Sequence, residues 1–305
     1  MNVYILAQQL VNGVVLGAIY GLIAVGYTMV YGIMGMINFA HSEIYMLSAY
    51  LSTIVLAVLV YWGIQSPLVL ILLTLGVAMS MTALYGWVIE RLAYRPLRDA
   101  PRLAPLISAI GISLMLQSYA VLTQGAKTKG IPTFIEGVTR FGDAVNNVQI
   151  SNIQVLILII ALCSMVALNF IIQHTAFGQA CRATQQDRGM AEILGINTDR
   201  VISLVFVIGS AMAAVAGLLV TMNYGSFDFN IGFVMGVKAF TAAVLGGIGS
   251  LTGAMLGGII LGVSESLFAG LVNSDYKDVF AFSLLVIFLI FRPSGLLGKP
   301  EVEKV

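Results

Sequence analysis

Six apolar stretches of about 20 residues follow one another through the first three-quarters of the chain, at 10–34, 44–62, 68–89, 103–122, 153–173 and 201–222. About 20 apolar residues in a helix cross a hydrocarbon core about 30 Å thick. Backbone in lipid has no water to bond to, so each run is read as a helix that satisfies its own amides. The last third divides less cleanly. The run 238–271 is apolar but interrupted by Gly246-Gly247-Ile248-Gly249-Ser250, and 279–291 is short. Two crossings in the first and one in the second give about nine transmembrane helices, with eight to ten allowed.

Composition agrees. Only 10% of residues are charged and 59% are hydrophobic, with mean hydropathy +0.97, where a soluble domain carries about 25% charged residues. The expected architecture is an all-α polytopic membrane protein, with 1–305 as a single transmembrane domain. A net charge of +1 gives no reason to invoke nucleic acid as a partner. Cys163 and Cys181 offer no disulfide framework and read as free thiols. No Lys or Arg precedes the first apolar stretch, which argues against a cleaved leader.

Basic residues in short loops set orientation. One set of loops holds Arg91, Arg95, Arg98, Arg102, Arg182, Arg188, Arg200, Arg292, Lys299 and Lys304; the other holds Lys127, Lys129, Arg140, Lys238 and Lys277. Ten against five places the first set inside the cell, the N-terminus outside and the C-terminus inside. The outer loop 123–152 shows no regular pattern.

Between two apolar runs lies one polar segment, 179–200, within a connection spanning 174–200. Ala180, Ala183, Met190, Ala191, Ile193 and Leu194 recur there at helical spacing, and Gly195 follows as a stop. The pattern predicts one short amphipathic helix. It is either a solvated connector or a docking surface, with Ala180, Ala183 and Ala191 permitting close approach and Arg182 and Asp187 making polar contacts. Glycine gives a second pattern: Gly13, Gly17 and Gly21 in the first span, and Gly249, Gly253 and Gly257 later. Four-residue spacing stacks small residues on one helix face and lets backbones approach. Tight packing and sliding during a conformational cycle both fit.

Ionisable groups within spans are few. Asn38, His41 and Glu43 form a polar insert expected near the inner membrane face, mutually hydrogen-bonded or facing water. Asn38 or Ser42 is read as capping a helix that begins near Ile44, and a gate is the competing role. One His and one Glu do not make a metal site. Glu265 sits in a late span facing the bundle interior, and Lys238 is read as snorkelling to the interface. No phosphate-binding loop, HExxH or GxSxG occurs, so the chain is read as no enzyme. If it pumps, energy comes from an ion gradient or a separate ATPase. Glu43 and Glu265 alone make a poor proton relay, which favours the ATPase over an ion-coupled secondary carrier.

Six strings carry a resemblance that spans the chain: YTMVYGIMGMINFAHSE (27–43), IERLAYRPLR (89–98), LISAIGISLMLQ (106–117), CRA with LGINTDRV (181–183 and 194–201), KAFTAAVLGGIGSLTGAMLGG (238–258) and RPSGLLGKPEVEKV (292–305). Together they resemble the permease subunits of branched-chain amino-acid importers of the ATP-binding-cassette class, most closely the H-type subunit. Ser42 stands where that family usually has Gly, and Gln179 where it usually has a basic residue.

The resemblance implies a permease of the second importer class with pseudo-symmetric halves, moving leucine, isoleucine and valine across a bacterial inner membrane. The implied partners are an M-type permease, two ATP-binding subunits that use ATP and magnesium, and a periplasmic amino-acid-binding protein. The chain itself would hold no cofactor, and 174–200 would be the ATPase-coupling segment. An internal repeat is faint, 38–51 against 230–244.

Overall fold

The computed structural model describes residues 3–298 apart from Asp99, Arg102, 132–134 and 143–146. In chain order the helices are α1 (Val3–Met34), α2 (Ala40–Tyr61), α3 (Pro67–Ile89), α4 (Leu103–Gln124), α5 (Asn152–His174), α6 (Ala176–Gln186), α7 (Arg188–Ile193), α8 (Thr198–Tyr224), α9 (Ile231–Gly246), α10 (Leu251–Leu271) and α11 (Lys277–Phe291). A π-turn, Glu90–Tyr94, and a 3-10 turn, Arg95–Leu97, continue α3. Seven helices are long and apolar enough to cross a membrane: α1, α2, α3 with its continuation, α4, α5, α8 and α10. The shorter α9 (16 residues) is a further apolar helix, and α11 spans 15 residues, against about nine expected crossings.

Helix starts follow local chemistry. Pro67 opens α3, where its missing N–H costs nothing. Ser151 caps α5 in a reciprocal box with Gln154, and Asn197 and Ser250 cap α8 and α10. The 123–152 loop is more ordered than its sequence indicates. Strand β1 (Lys129–Gly130) pairs with β4 (Ser226–Phe227), and β2 (Val138–Gly142) forms an antiparallel hairpin with β3 (Asn147–Ser151). Every residue of β2 is exposed, so the strand carries no alternation for a sequence reading to find.

α1 is the axis of the bundle. In its most apolar window 89% of residues are buried, against 17% in α4, which lies at the periphery. α10 runs antiparallel along α1, with Gly13 facing Val263, Gly17 facing Ile259 and Gly21 facing Met255. A Cβ on Gly17 would lie 2.6 Å from the Ile259 Cα, so these backbones touch with no side chain between them. Gly258 and Gly262 return the contact onto Gly21 and Gly17. Gly253 and Gly257, on another face of α10, receive Gly246 and Ala242 of α9. Gly249 belongs to neither stripe. It lies before α10 at φ +95°, a turn position that favours glycine, and not on a helix face as its spacing indicates.

The bundle has two distinguishable ends. One carries α6, α7 and the start of α8, with Gly32 near the end of α1 against Gln185. The other carries the β2–β3 hairpin, held to the start of α1 by Gln8 bonded to the Gln149 backbone, together with the end of α8 and β4.

Gly17→Leu places a branched side chain against a backbone Cα that has no rotamer with which to yield. A cost of about 3 kcal/mol, the upper part of the usual overpacking range, is expected. The expected outcome is loss of folded protein in a detergent-extraction and size-exclusion assay, and recovery at wild-type yield would refute the contact.

Candidate functional site

The 174–200 connection forms two helices rather than one. Asp187 leaves the helical region at φ −159°, and its carboxylate accepts the Met190 N–H at 3.0 Å, ending α6 and capping α7 in one residue. Thr175 caps α6 by accepting from the Gly178 N–H. Gly195 takes φ +84°, and the Ile196 N–H closes back onto the Ala191 carbonyl, the Schellman closure that such a glycine allows.

The alanines do not form an outward face. Ala191 is 2% exposed and Ala180 packs on the core, while Ala183 is half-buried. Arg182 is exposed and donates to the Ile172 carbonyl at the α5–α6 corner, and Asp187 is occupied as the α7 cap. The outward surface is instead apolar: Met190, Ile193 and Leu194 are 54%, 80% and 73% exposed at the tip of the segment. Beneath it, burial pushes the Cys181 thiol up to about 11, so it stays neutral at physiological pH. The Thr198 hydroxyl, with Arg188, holds the Glu192 carboxyl below the usual carboxylate range.

An ion-pair network ties this segment to the bundle. Arg98 is nearly buried and bridges Glu90, fully buried on the π-turn, to Asp199 at the start of α8. Arg95 pairs with Asp199 at 2.6 Å, Ser203 donates to Glu90 at 2.6 Å, and Arg188 of α7 reaches Glu192 at 3.2 Å and Asp199 at 3.9 Å. Sequence reasoning had counted Arg95 and Arg98 only as loop charges. The one available signal was Glu90, an acid at the end of an apolar run with arginines after it.

The polar side chains of the 38–43 insert are buried. α2 begins at Ala40 without a side-chain cap from Phe39, and not near Ile44. His41 packs on Gly26 of α1 and Gly209 of α8, and the imidazole meets the Tyr27 ring edge-on at 5.0 Å. Asn38, His41 and Glu43 are 2%, 1% and 1% exposed, so the first turn of α2 is enclosed by its neighbouring helices.

The three polar side chains do not bond to one another, because each is directed to a different helix. Asn38 Oδ1 accepts from the Ala40 N–H at 3.1 Å and from the Tyr94 hydroxyl at 2.5 Å. Glu43 accepts from Ser113 of α4 at 3.3 Å, and its other oxygen lies buried over Gly232 of α9 without a hydrogen bond. Ser42 donates to the Phe39 carbonyl and seats on Gly236, so it does not cap a later helix start.

Glu265 does face the bundle interior, and its partner is a finding. Lys238 does not snorkel. Its side chain is 3% exposed, and Nζ lies 2.6 Å from Glu265 Oε1 and 2.5 Å from Asp278 Oδ1. The Tyr20 hydroxyl donates to Glu265 Oε2 at 3.0 Å, so one ionic cluster joins α1, α9, α10 and α11. Nothing in the spacing of 238, 265 and 278 marks them as neighbours. The α9–α10 hairpin and the α11 return bring them together.

Comparison with known proteins places this arrangement. Residues 9–289 match the family described as branched-chain amino acid transport system / permease component. The chain is similar to the high-affinity branched-chain amino acid transport system permease protein BraD of Pseudomonas aeruginosa, 51% identical over 305 residues, covering 100% of this chain and 99% of the relative. It is similar to the permease LivH of Escherichia coli K12, 51% identical over 299 residues, 98% of this chain and 97% of the relative. Similarity to the permease LivM of the same organism is partial, 29% over 150 residues, 48% of this chain and 34% of the relative. No solved structure matches. A match over nearly the whole length, carried by a bundle whose polar groups turn inward, makes this chain a member of the branched-chain amino acid transport system permease family.

Proposed function

We propose that this chain is the H-type permease subunit of an ATP-driven importer of leucine, isoleucine and valine in a bacterial inner membrane. The observation that carries the reading is end-to-end identity of 51% with permeases named for high-affinity branched-chain amino acid transport. The partial similarity to an M-type permease supports a permease pair as the translocating unit. Two ATP-binding subunits would supply ATP and magnesium chemistry, and a periplasmic binding protein would deliver the amino acid. Residues 1–305 then act as one permease domain with 174–200 as its coupling segment.

The α6–α7 end is assigned to the cytoplasm and the N-terminus to the periplasm. Withdrawing Lys238 into the bundle leaves four basic residues on the opposite end, which sharpens the asymmetry. Arg102, Lys299 and Lys304 of the inner set lie outside the described residues. Met190, Ile193 and Leu194 would enter a groove of the ATPase, with half-buried Ala183 at the edge of the contact. A few side chains seated in a partner's pocket carry most of the binding energy of an interface.

The test is a reconstituted complex. Ile193→Asp with Leu194→Asp, or Ala183→Glu alone, is expected to lower leucine transport per ATP hydrolysed by about tenfold, the effect of losing an anchor worth about 1.4 kcal/mol. Expression and insertion should be unchanged. Normal coupling in these variants at normal expression would show that the docking surface lies elsewhere.

Asn38 and Glu43 separate by role. Asn38→Leu deprives the Tyr94 hydroxyl and the Ala40 N–H of their acceptor, at about 1–3 kcal/mol for each group left buried; its expected effect is a fall in folded yield. Glu43→Gln keeps shape and the Ser113 bond while deleting the charge. An altered basal ATPase rate with intact expression is expected, and an unchanged rate and transport would remove the gate role.

A further inference from the structure

A cavity of about 380 Å³ opens on the bundle end that carries β4, between the starts of α9 and α11. Its volume lies in the small-molecule range of about 300–1,000 Å³. Its lining combines the apolar side chains of Phe227, Ile231, Val234 and Met235 with the charged ones of Lys238, Asp278, Asp228 and Lys277. A second cavity of about 240 Å³ shares Tyr224 and Lys277 with it and reaches Glu265 from the other side. The Lys238–Glu265 pair therefore stands between two cavities rather than in solid protein.

The ionic cluster is hard to account for as a stabiliser. Desolvating an ion pair commonly costs as much as its attraction returns, and apolar replacement is often neutral or better. Ionisable groups within a membrane bundle line a pathway or bind a ligand by default. Here two carboxylates, Glu265 and Asp278, face one ammonium, so the cluster carries an excess of negative charge. Lys238 donates to Glu265 and lies 2.5 Å from Asp278 Oδ1, a buried oxygen that makes no hydrogen bond. Asp278 is half-exposed where it meets the cavity.

We propose that this cavity is a binding site for a zwitterionic amino acid with an apolar side chain, on its way through the permease. The ligand's ammonium group meets Asp278 and Asp228, its carboxylate meets Lys238 and Lys277, and its branched side chain rests on Val234, Met235 and Phe227. Charges of both signs and apolar side chains lining one cavity are the complement of leucine, and of neither a simple cation nor a lipid tail. The inference rests on the transport reading above and adds to it a place on this chain where the substrate pauses.

The experiment uses the complete complex in nanodiscs with the binding protein omitted, and radiolabelled leucine as probe. Saturable binding is expected, competed by valine. Competition should be at least tenfold weaker from 3-methylbutylamine, which lacks the carboxylate, and from 4-methylpentanoate, which lacks the ammonium group. Asp278→Asn, a half-exposed position, removes one charge partner. Val234→Trp, a half-buried position, fills the cavity. Each should weaken leucine binding at least tenfold and lower the maximal transport rate at saturating loaded binding protein, with complex assembly unchanged. A complex that transports leucine yet shows no saturable binding, or in which both variants bind and transport as wild type, overturns the cavity and leaves the transport reading standing. A wild-type complex that does not transport leucine overturns the transport reading itself.

Discussion

The contact between α1 and α10 is the constraint from which the rest of the bundle follows. In lipid there is no gain from hiding one apolar helix against another, so association depends on close packing and on the few polar bonds available. Gly13, Gly17 and Gly21 remove side chains from the α1 face, and Gly258 and Gly262 do the same on α10, so the two backbones meet directly. α10 then carries α9 on Gly253 and Gly257, and with α9 comes the Lys238 ammonium. A larger residue at any of these positions pushes α9 away from Tyr20 and Glu265 as well. Packing and electrostatics are one problem here, since the ion cluster closes only if the glycines do.

The two ends of the bundle solve the cost of charge differently. At the α6–α7 end, Arg98 sits between Glu90 and Asp199, and its two terminal nitrogens let one guanidinium serve two acids, Nη2 donating to Glu90 and Nη1 to Asp199. Asp199 and Arg95 are partly exposed there, so water shares the burden and the pair between them adds little stability. At the other end Lys238 and Glu265 are both closed off from solvent, and only Asp278 reaches it. The first network holds helices at a surface. The second carries unbalanced charge beside open space, which is why it bears on ligand chemistry rather than on cohesion.

How much of this was legible depends on whether a feature is local. The six long spans were readable because about 20 apolar residues are a local fact, and their ends moved by only a few residues once Ser151, Asn197 and Pro67 set the caps. The Gly195 stop was local too. The break at Asp187 was missed because its capping carboxylate sits within a run that otherwise keeps helical spacing, and the period alone overrides the cap. The outward role assigned to Ala180 and Ala191 failed for a related reason. Small residues mark close approach, but the pattern does not say whether the approach is to another chain or, as here, to the chain's own core. Lys238 was misread because snorkelling is the usual fate of a lysine in a span, and its acids lie 27 and 40 positions away in sequence. The burial of 38–43 was invisible, since a polar insert between apolar runs reads as an open loop.

That burial gives the segment its character. A helix that begins inside the bundle exposes amides there that a surface start would leave to water, and Asn38 satisfies two of them, Ala40 through its side chain and His41 through its carbonyl. Tyr94 holds Asn38 from the π-turn, the same turn whose Glu90 is joined through Arg98 and Asp199 to Arg188 of α7. α7 and the first turn of α2 are thus linked through two polar chains that meet on the π-turn, Arg188–Asp199–Arg98–Glu90 on one side and Tyr94–Asn38 on the other. On its far side that turn is held loosely. Glu43 has one long bond to Ser113 and a buried oxygen without one, while Ser42 and Glu43 lie on Gly236 and Gly232 at the start of α9. Where glycine faces a half-satisfied carboxylate, a small shift of one helix along the other breaks little and exposes a partner-seeking oxygen. The firm end of the chain faces α7 and the loose end faces α9, the helix that carries Lys238.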